Sequence, residues 1–379
     1  MWWVALAHAA TVADLQDVSG LSEVVVNLGG FIQPRFDAVQ ADLANGWSGN
    51  TGWSVQRARL ETGGFATPAG APGPMVAWAL SIELMPEARL QDAFVEFGRV
   101  PQVSGHNPHG ISVRAGQQKA PFGRALMTSD ARSLFPDLAL LVGFIPSRDI
   151  GASVRAVAGN NHVEFEAGIF DGEGTNRIAN VNRKFLYSAR LVVSPLGGPG
   201  SGSELLHDWH DGKGRRRPTV SLGGSVHVNE TGDPGQQVGV FGADGEVFAS
   251  WRWFTGQGEV LWQSFDEEEV AAADYTQFGA YGQLGAFLAG VPWAEDHLAG
   301  MFRYEAGDSL RADGVLPAGP QDPTQGQTRT SVGIGVYAGE PWFRSPETLR
   351  VVAAYRFKRE VEGFGFADDG LSVLANLTL

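Results

Sequence analysis

Hydrophobic and polar positions alternate along most of the chain. Between residues 76 and 84, Val76, Trp78, Leu80 and Ile82 are each followed by a small or polar residue, the last of which is Glu83. Because successive side chains of a β-strand point to opposite faces, this period of two predicts a strand with one apolar face and one polar face. The pattern recurs in segment after segment, so the chain is predicted to be all-β.

The alternation predicts about sixteen strands. They lie near residues 24–38, 52–65, 76–84, 90–98, 111–119, 149–158, 161–170, 184–194, 217–229, 238–253, 257–267, 274–288, 296–305, 327–339, 346–358 and 369–379. Tight turns, such as residues 159–161, alternate with longer loops rich in glycine and aspartate, such as residues 306–326. An even number of strands with alternately short and long connections is typical of a transmembrane antiparallel β-barrel. We therefore predict a single barrel domain over residues 24–379.

Two short segments precede the predicted barrel. Residues 11–23 form a polar lead with some helical character, which we expect to lie in the periplasm. Residues 1–10 are mostly apolar with an Ala-x-Ala step, which favours the remnant of an export signal. The alternative is an ordinary N-terminus, because the basic region of a signal peptide is missing. Nowhere does the sequence reach the ~18 consecutive apolar residues of a transmembrane helix, whereas a barrel strand needs only ~9–11 alternating residues.

One connection, between the strands near residues 111–119 and 149–158, is unusually long. It has about thirty residues, whereas an ordinary hairpin loop has ~2–5, and loops of this length are usually functional. Four basic side chains lie in it or at its ends: Lys119, Arg124, Arg132 and Arg148. We predict that residues 120–148 are inserted into the barrel and narrow its pore.

The composition restricts the possible functions. The chain has no cysteine, which excludes disulfides, thiolate metal sites and a cysteine nucleophile. Its formal charge of −14 argues against nucleic acid as a partner, because phosphate backbones are bound by basic surfaces. Histidine and aspartate occur together at residues 207–211, but this is a turn without further ligand residues. We therefore expect no metal site and no cofactor.

Several stretches have a distinctive amino-acid sequence. In and after the long connection stand GQQKAPFGRALMTSDARSLFP, FIPSRDIGASVRA and EAGIFDGEGTNRIANVNRKFLYSARLVVSPLGG, and before it GGFIQPRFD, WSVQRARLETGG and LQDAFVEFG. Over most of residues 29–197 the chain thereby resembles the phosphate-selective porin O and P family. The resemblance implies a sixteen-stranded trimeric outer-membrane barrel with an inward-folded third loop, and passage of phosphate or polyphosphate along a ladder of arginines. The chain departs from that pattern in being acidic overall and in lacking a complete ladder that can be matched.

A first set of candidate residues falls on the polar faces of predicted strands: Arg57, Arg59, Arg114, Arg155 and Arg190. A charge that faces lipid near the membrane centre costs ~2–4 kcal/mol, so these side chains are expected to point into the lumen. There, their planar guanidinium groups would attract phosphate-like anions. The alternative is structural pairing with wall carboxylates, for which the candidates are Asp92, Glu96, Glu164 and Glu166. Both interpretations can hold together.

The second set of candidates belongs to the long connection, where Lys119, Arg124, Arg132 and Arg148 outnumber Asp130, Asp137 and Asp149. Because basic clusters in a pore favour anions, this excess predicts a constriction that binds anions. The local potential outweighs the charge of distant loops, which salt screens over ~8–10 Å. The alternative is that these charges fasten the loop to the barrel wall.

Together these features predict a bacterial outer-membrane porin that conducts small solutes passively and prefers small inorganic anions. No catalytic activity is expected. The expected partners are membrane lipid, lipopolysaccharide and further copies of the chain in a homotrimer. Two alternatives remain open. One is a general or cation-leaning porin of the same fold, which the charge of −14 favours. The other is a secreted, soluble β-rich binding protein or hydrolase.

Overall fold

The computed structural model describes residues 11–14, 21–39, 50–100, 109–159, 162–196, 218–231, 238–251, 253–266, 275–288, 297–311, 327–338, 349–360 and 369–378. Within these ranges the chain is mostly strand. The strands are β1 (Thr11–Asp14), β2 (Leu21–Val39), β3 (Asn50–Pro68), β4 (Val76–Glu83), β5 (Arg89–Gly98), β6 (Gly110–Lys119), β7 (Arg148–Ala158), β8 (Val163–Phe170), β9 (Leu186–Val193), β10 (Thr219–Thr231), β11 (Val238–Trp251), β12 (Phe254–Asp266), β13 (Tyr275–Phe287), β14 (Leu298–Arg311), β15 (Gln327–Ala338), β16 (Leu349–Glu360) and β17 (Gly370–Thr378).

From β2 onward the strands close into a ring. Each strand pairs antiparallel with the next, and β17 returns to pair antiparallel with β2, where Val373 lies opposite Phe36. In the part of the chain that the structure describes, this gives a closed barrel of sixteen strands, β2 to β17, as the alternation predicts. Closure leaves no strand edge with unpaired main-chain groups, which is the condition for a sheet to cross lipid.

The lead before the barrel differs from the prediction. Thr11–Asp14 is a strand rather than helical, and it pairs with β2, where Thr11 lies opposite Asn27. The barrel begins at Leu21, inside the predicted lead of residues 11–23. A segment this short makes too few hydrogen bonds to hold a helix, whereas β2 offers it a row of main-chain partners. Residues 15–20 of the lead, and the predicted export remnant at residues 1–10, lie outside the described residues.

The two faces of the barrel have opposite character. On β10 the outward side chains of Leu222, Val226 and Val228 are about half exposed, at 55%, 46% and 50%, while the inward side chains of Ser225 and His227 are buried. The strands around the ring repeat this alternation. An apolar outer face suits lipid and a polar inner face suits a lumen, so the hydrophobic pattern of the sequence positions the barrel in a membrane.

Exposed aromatic side chains stand near strand ends on the outer face. Trp53, Phe97, Trp251 and Phe254 are among them, as expected for aromatic girdles at the membrane interfaces. Phe94 differs from these residues, because its ring is buried and lies 4.4 Å from the guanidinium of Arg114. Its position in β5 puts it on the inner face, where it supports an arginine of the wall.

The interior of the barrel holds the connection between β6 and β7. It contains one helical turn, α1 (Arg124–Met127), and two 3-10 turns at Asp130–Arg132 and Leu140–Phe144. Among the described residues, no helix has the length and apolar character needed to cross a membrane. Two apolar clusters join the connection to the wall: Phe122, Ala125, Leu126, Ala139, Leu141 and Ile145 with Leu261 and Tyr281, and Leu134 and Phe135 with Met301, Val352 and Ala354. Removal of this apolar surface from water holds the connection inside the barrel.

The apolar outer face predicts that tolerance of charge depends on depth. Val226 lies near the middle of β10, and Val220 lies on the same face near the beginning of the strand. We expect Val226→Arg to lower the free energy of unfolding by ~2–4 kcal/mol and Val220→Arg by only ~0–1 kcal/mol, because the penalty for a lipid-facing charge falls toward the interface. Equilibrium unfolding from lipid vesicles measures both values. Equal losses at the two positions would contradict this placement of β10.

Candidate functional site

The connection between β6 and β7 crosses the barrel interior, and we refer to residues 120–147 as the inserted segment. It hydrogen bonds to buried side chains of widely separated strands: Gln33 Nε2 of β2 donates to Asp130 O at 3.3 Å, Gly123 N donates to Ser225 Oγ of β10 at 2.9 Å, and Leu140 N donates to Glu305 Oε1 of β14 at 2.7 Å. A segment that touches the inner faces of strands on opposite sides of a closed ring lies within that ring. It ends one residue earlier than predicted, because Arg148 already belongs to β7.

Wall arginines satisfy main-chain carbonyl groups of the inserted segment. Three such bonds are present: Arg303 Nη2 donates to Asp137 O at 2.7 Å, Arg329 Nη2 donates to Leu138 O at 2.7 Å, and Arg350 Nη1 donates to Ser133 O. A buried carbonyl without a partner is costly, so these arginines make an irregular backbone tolerable inside the barrel. None of the three is among the candidates predicted from the sequence. The signal that could have found them is an arginine on the polar face of an alternating strand.

Asp130 fastens the inserted segment to β3. Its Oδ2 lies 2.7 Å from Arg59 Nη2 and 3.6 Å from Arg57 Nε. Burial by itself would raise the pKa of Asp130, but the charges of Arg57 and Arg59 outweigh this effect and hold the pKa well below its usual value. The carboxylate therefore stays charged, and the contact persists at any physiological pH.

Asp137 forms a second fastening on a different part of the wall. Its carboxylate lies 2.6 Å from Arg35 Nη1 of β2 and 2.7 Å from Arg356 Nη1 of β16. Burial again acts to raise the pKa, while Arg35 and Arg356 lower it to about 2. The two aspartates thus tie the inserted segment to the inner face through four arginines.

Lys119 supports the beginning of the inserted segment. Its Nζ donates hydrogen bonds to the main-chain oxygens of Leu126 at 2.5 Å and Thr128 at 2.8 Å. These carbonyl groups lie at the C-terminal end of α1, where a positive charge is favourable. The predicted anion-binding lysine therefore also has a structural contact, as the fastening alternative requires.

Two other predicted constriction residues are buried in the inserted segment itself. Arg124 Nε donates to Gln257 Oε1 at 3.1 Å, and the guanidinium lies 4.2 Å from the ring of Phe248. Arg132 is buried at the end of a 3-10 turn. Both side chains are buried, so they are enclosed by protein rather than presented to an open lumen.

A cavity of 320 Å³ opens between the inserted segment and the wall around β3, β4 and β5. We call it the basic cavity, because its described lining carries five basic side chains against two acidic ones: Arg57, Arg59, Arg89, Lys119 and Arg148 against Glu83 and Asp130. Lys119 and Arg148 reach it together because they lie opposite each other in the β6–β7 register. The cavity thus brings together four of the nine predicted site residues, from both sets of candidates, on one positively charged surface.

The remaining wall arginines are engaged in buried ion pairs. Each pairs with a wall glutamate at the following N–O distance: Arg114 with Glu96 at 3.0 Å, Arg155 with Glu164 at 3.2 Å and Arg190 with Glu246 at 2.6 Å. At the edge of the cavity, Arg148 Nε lies 3.1 Å from Asp92 Oδ1. Paired charges of opposite sign largely cancel at a distance, so these three arginines contribute less to the lumen potential than an arginine without a nearby carboxylate.

Metal binding has no support in this site. The described residues contain no group of three or more histidine, aspartate or glutamate side chains placed to hold a metal ion. The histidine and aspartate run at residues 207–211 lies outside the described residues.

The chain is similar to known proteins in sequence and in fold. A sequence model for the family described as phosphate-selective porin O and P matches residues 26–355. No curated protein matches the chain significantly. Among solved structures, the anion-selective porin from Comamonas acidovorans has a TM-score of 0.60 at 12% identity, covering 94% of this chain and 100% of that chain. The outer membrane channel DcaP of Acinetobacter baumannii has a TM-score of 0.58 at 12% identity, covering 94% and 97%. The trimer form of OmpT from Vibrio cholerae has a TM-score of 0.53 at 10% identity, covering 94% and 99%. At these identities the likeness concerns the fold alone.

The aspartate fastenings predict that the inserted segment stays in place in moderate acid. The pKa of Asp137 in the folded protein is about 2, so its contribution to stability is complete above the ordinary aspartate value and is lost as pH falls through about 2. Since the chain has no cysteine, a spin label can be attached through Ala131→Cys alone. We expect its mobility to be constant between about pH 5 and about pH 3 and to rise only below that range.

Asp137→Asn provides the comparison, because it removes at every pH the carboxylate by which Arg35 and Arg356 hold the inserted segment. The label in this variant should already be more mobile at neutral pH. A wild-type label that loosens near pH ~4, where ordinary carboxyl groups titrate, would contradict the assignment.

Proposed function

Since the chain belongs to the phosphate-selective porin O and P family, we propose that its channel prefers small inorganic anions, with phosphate-like oxyanions as the favoured class. The protein is a porin of the bacterial outer membrane, and solutes cross it by passive diffusion. The family match and the closed barrel argue against the alternative of a soluble binding protein or hydrolase. We further propose that the channel has no catalytic activity.

The basic cavity is the observation that supports an anion preference. Its five basic and two acidic side chains leave a local positive excess beside the inserted segment, which the pairing of Arg148 with Asp92 and of Arg89 with Glu87 reduces. In a pore, the potential at the narrow part decides which ions enter, and basic clusters there favour anions. The overall charge of −14 has less influence, because salt screens charges on distant loops over ~8–10 Å.

Of the two β3 arginines in this cavity, Arg57 is the better placed to touch a passing anion. It retains 19% exposure, against 3% for Arg59. Its Nε lies 3.6 Å from Asp130, which is longer than the 2.7 Å contact of Arg59 with the same carboxylate. A guanidinium that is only partly engaged can offer its remaining N–H groups to an oxyanion. Arg59 then serves mainly to hold the segment, while Arg57 provides the contact.

A less selective channel is the second candidate. The pairing of Arg114, Arg155 and Arg190 with wall carboxylates favours it, because these arginines form no continuous row of unpaired charges. In that case the barrel would be a general or cation-leaning porin, and the negative total charge would set a weak preference.

The surroundings of the barrel form part of the same proposal. The apolar outer face would contact membrane lipid, with lipopolysaccharide in the outer leaflet, and we propose a homotrimer. The support for the trimer is the fold shared with OmpT of Vibrio cholerae, whose structure is described as a trimer form. No cofactor and no nucleic acid are included among the proposed partners.

Neutralising Arg57 tests the proposal. In a planar bilayer with a salt gradient, we expect the wild-type reversal potential to indicate anion preference, and phosphate to reduce the chloride current. Arg57→Gln should weaken this phosphate block about tenfold, which corresponds to loss of a charge-assisted hydrogen bond worth ~1.5 kcal/mol. It should also shift the reversal potential toward zero.

Arg183→Gln is the matched control, since it makes the same change of charge at an exposed position outside the lumen. Block and reversal potential should stay at the wild-type values in this variant. A cation-preferring wild-type channel would overturn the proposal, and equal effects of the two substitutions would show that the basic cavity is not the site.

A further inference from the structure

Three carboxylates lie side by side on the inner face of β11 and β12. Glu246 and Glu259 are directly opposite each other in the register, and Asp244 precedes Glu246 by two residues on the same face. All three are buried. Like charges at opposed positions of a sheet repel each other, so this arrangement needs compensation. Arg190 supplies it for one of the three, with its Nη2 at 2.6 Å from Glu246 Oε1.

The other two carboxyl groups, Asp244 and Glu259, form no salt bridge with Arg190. Their positions are diagonal neighbours on the two strands, because Glu259 lies opposite Glu246 and Asp244 lies opposite Leu261, and side chains at diagonal positions of a sheet are within reach of each other. Each has one oxygen, Asp244 Oδ2 and Glu259 Oε1, with no hydrogen-bond partner among the described residues. Two buried anionic carboxylates in contact repel, whereas a single proton between them forms a strong O–H···O⁻ bond. The geometry is therefore that of a carboxyl–carboxylate pair.

The other two oxygens of this pair hold the inserted segment. Glu259 Oε2 accepts a hydrogen bond from Ala125 N at 2.8 Å. Asp244 Oδ1 accepts one from Ser225 Oγ at 3.2 Å, and Ser225 Oγ in turn accepts from Gly123 N at 2.9 Å. We call residues 120–128 the first limb of the segment. Its main chain is thus bound directly to Glu259 and, through the Ser225 hydroxyl, to Asp244.

Gly123 shows how closely the first limb approaches. Its φ is 61°, a conformation that favours glycine, and a Cβ built on it would lie 2.3 Å from Glu259 Oε1. The backbone therefore lies directly against the carboxyl group. A movement of the Glu259 carboxyl group must also move the first limb.

We propose that a proton shared between Asp244 and Glu259 keeps the two carboxyl groups together and the first limb in place, and that loss of this proton at higher pH drives the two carboxylates apart, displaces the limb bound to them and widens the channel. The proton breaks its bond to one carboxyl oxygen and passes to water, leaving two adjacent carboxylates that move apart. Asp130 and Asp137 keep the rest of the inserted segment fastened, because their arginine partners remain charged at the same pH. The proposal concerns the width of the pore and holds for either ion preference.

The groups that face the pair come from several elements. On β9, Arg190 is engaged by Glu246, and its charge also reaches Asp244 and Glu259. On β10, the His227 ring packs edge-on at 4.7 Å from Phe122 of the first limb. The segment itself brings Arg124, which donates to Gln257 of β12, and Tyr281 of β13 accepts from the same glutamine. Of these, His227 is the other group whose titration could move the first limb, so it must be separated by experiment.

A spin label at Met127→Cys reports on the first limb, and a label at Ala131→Cys reports on the next turn of the segment; each is the single cysteine of its chain. We expect the label at position 127 to become more mobile, and single-channel conductance to rise, as pH increases from about 5 to about 9, in one step because the pair titrates as a unit. The label at position 131 should not change over this range. A wild-type channel whose conductance and label mobility do not depend on pH would overturn the proposal.

Three substitutions identify the titrating group. Glu259→Gln and Asp244→Asn each replace the shared proton by a permanent amide donor, so in each variant conductance at the higher pH should equal that variant's own value at the lower pH. Either one suffices if the other fails to fold. His227→Gln should retain the pH step. A step that persists in the amide variants, or disappears in His227→Gln, would overturn the assignment to Asp244 and Glu259.

Discussion

The main chain of the inserted segment crosses the barrel with little regular structure, so its hydrogen-bonding groups must find partners on the wall. Most of the partners are charged. Arginines of β14, β15 and β16 donate to its carbonyl groups, while Glu259 and Glu305 accept from its N–H groups. A buried peptide group without a partner costs ~1–3 kcal/mol, and several such losses would exceed what the apolar clusters can offset. The rest of the interior follows from this requirement.

The same requirement limits how many charges remain for the solute. Arginines that bind the segment or a wall carboxylate are held in position and have part of their field cancelled. The charge that pairing does not cancel is unevenly distributed. The basic cavity keeps an excess of positive charge around Arg57, whereas β11 and β12 carry more carboxylate than their arginine can balance. On one side the inserted segment borders a surface that attracts anions. On the other side its position depends on the proton shared between Asp244 and Glu259.

The fold could be predicted from the sequence because a period of two determines both the strands and their faces. The inward direction of Arg114 and Arg155 follows from that parity. The partners could not be predicted in the same way, because they are distant in the sequence: Arg350 meets Ser133 across 217 positions. Lys119 illustrates the limit, since no local pattern indicates that its ammonium group caps α1. The strand at Thr11–Asp14 could not be predicted from its own residues, because its partner is the main chain of β2 and nothing within residues 11–23 indicates that pairing.

The wall charges mostly hold the inserted segment and leave a positively charged surface at the basic cavity. Anomalous diffraction from crystals containing bromide, and separately rubidium, tests this arrangement most directly, because each ion reveals where the lumen attracts its sign of charge. We expect a bromide site in the basic cavity beside Arg57 and no rubidium there. A rubidium site in that cavity, or bromide bound only at the rim of the barrel, would contradict it.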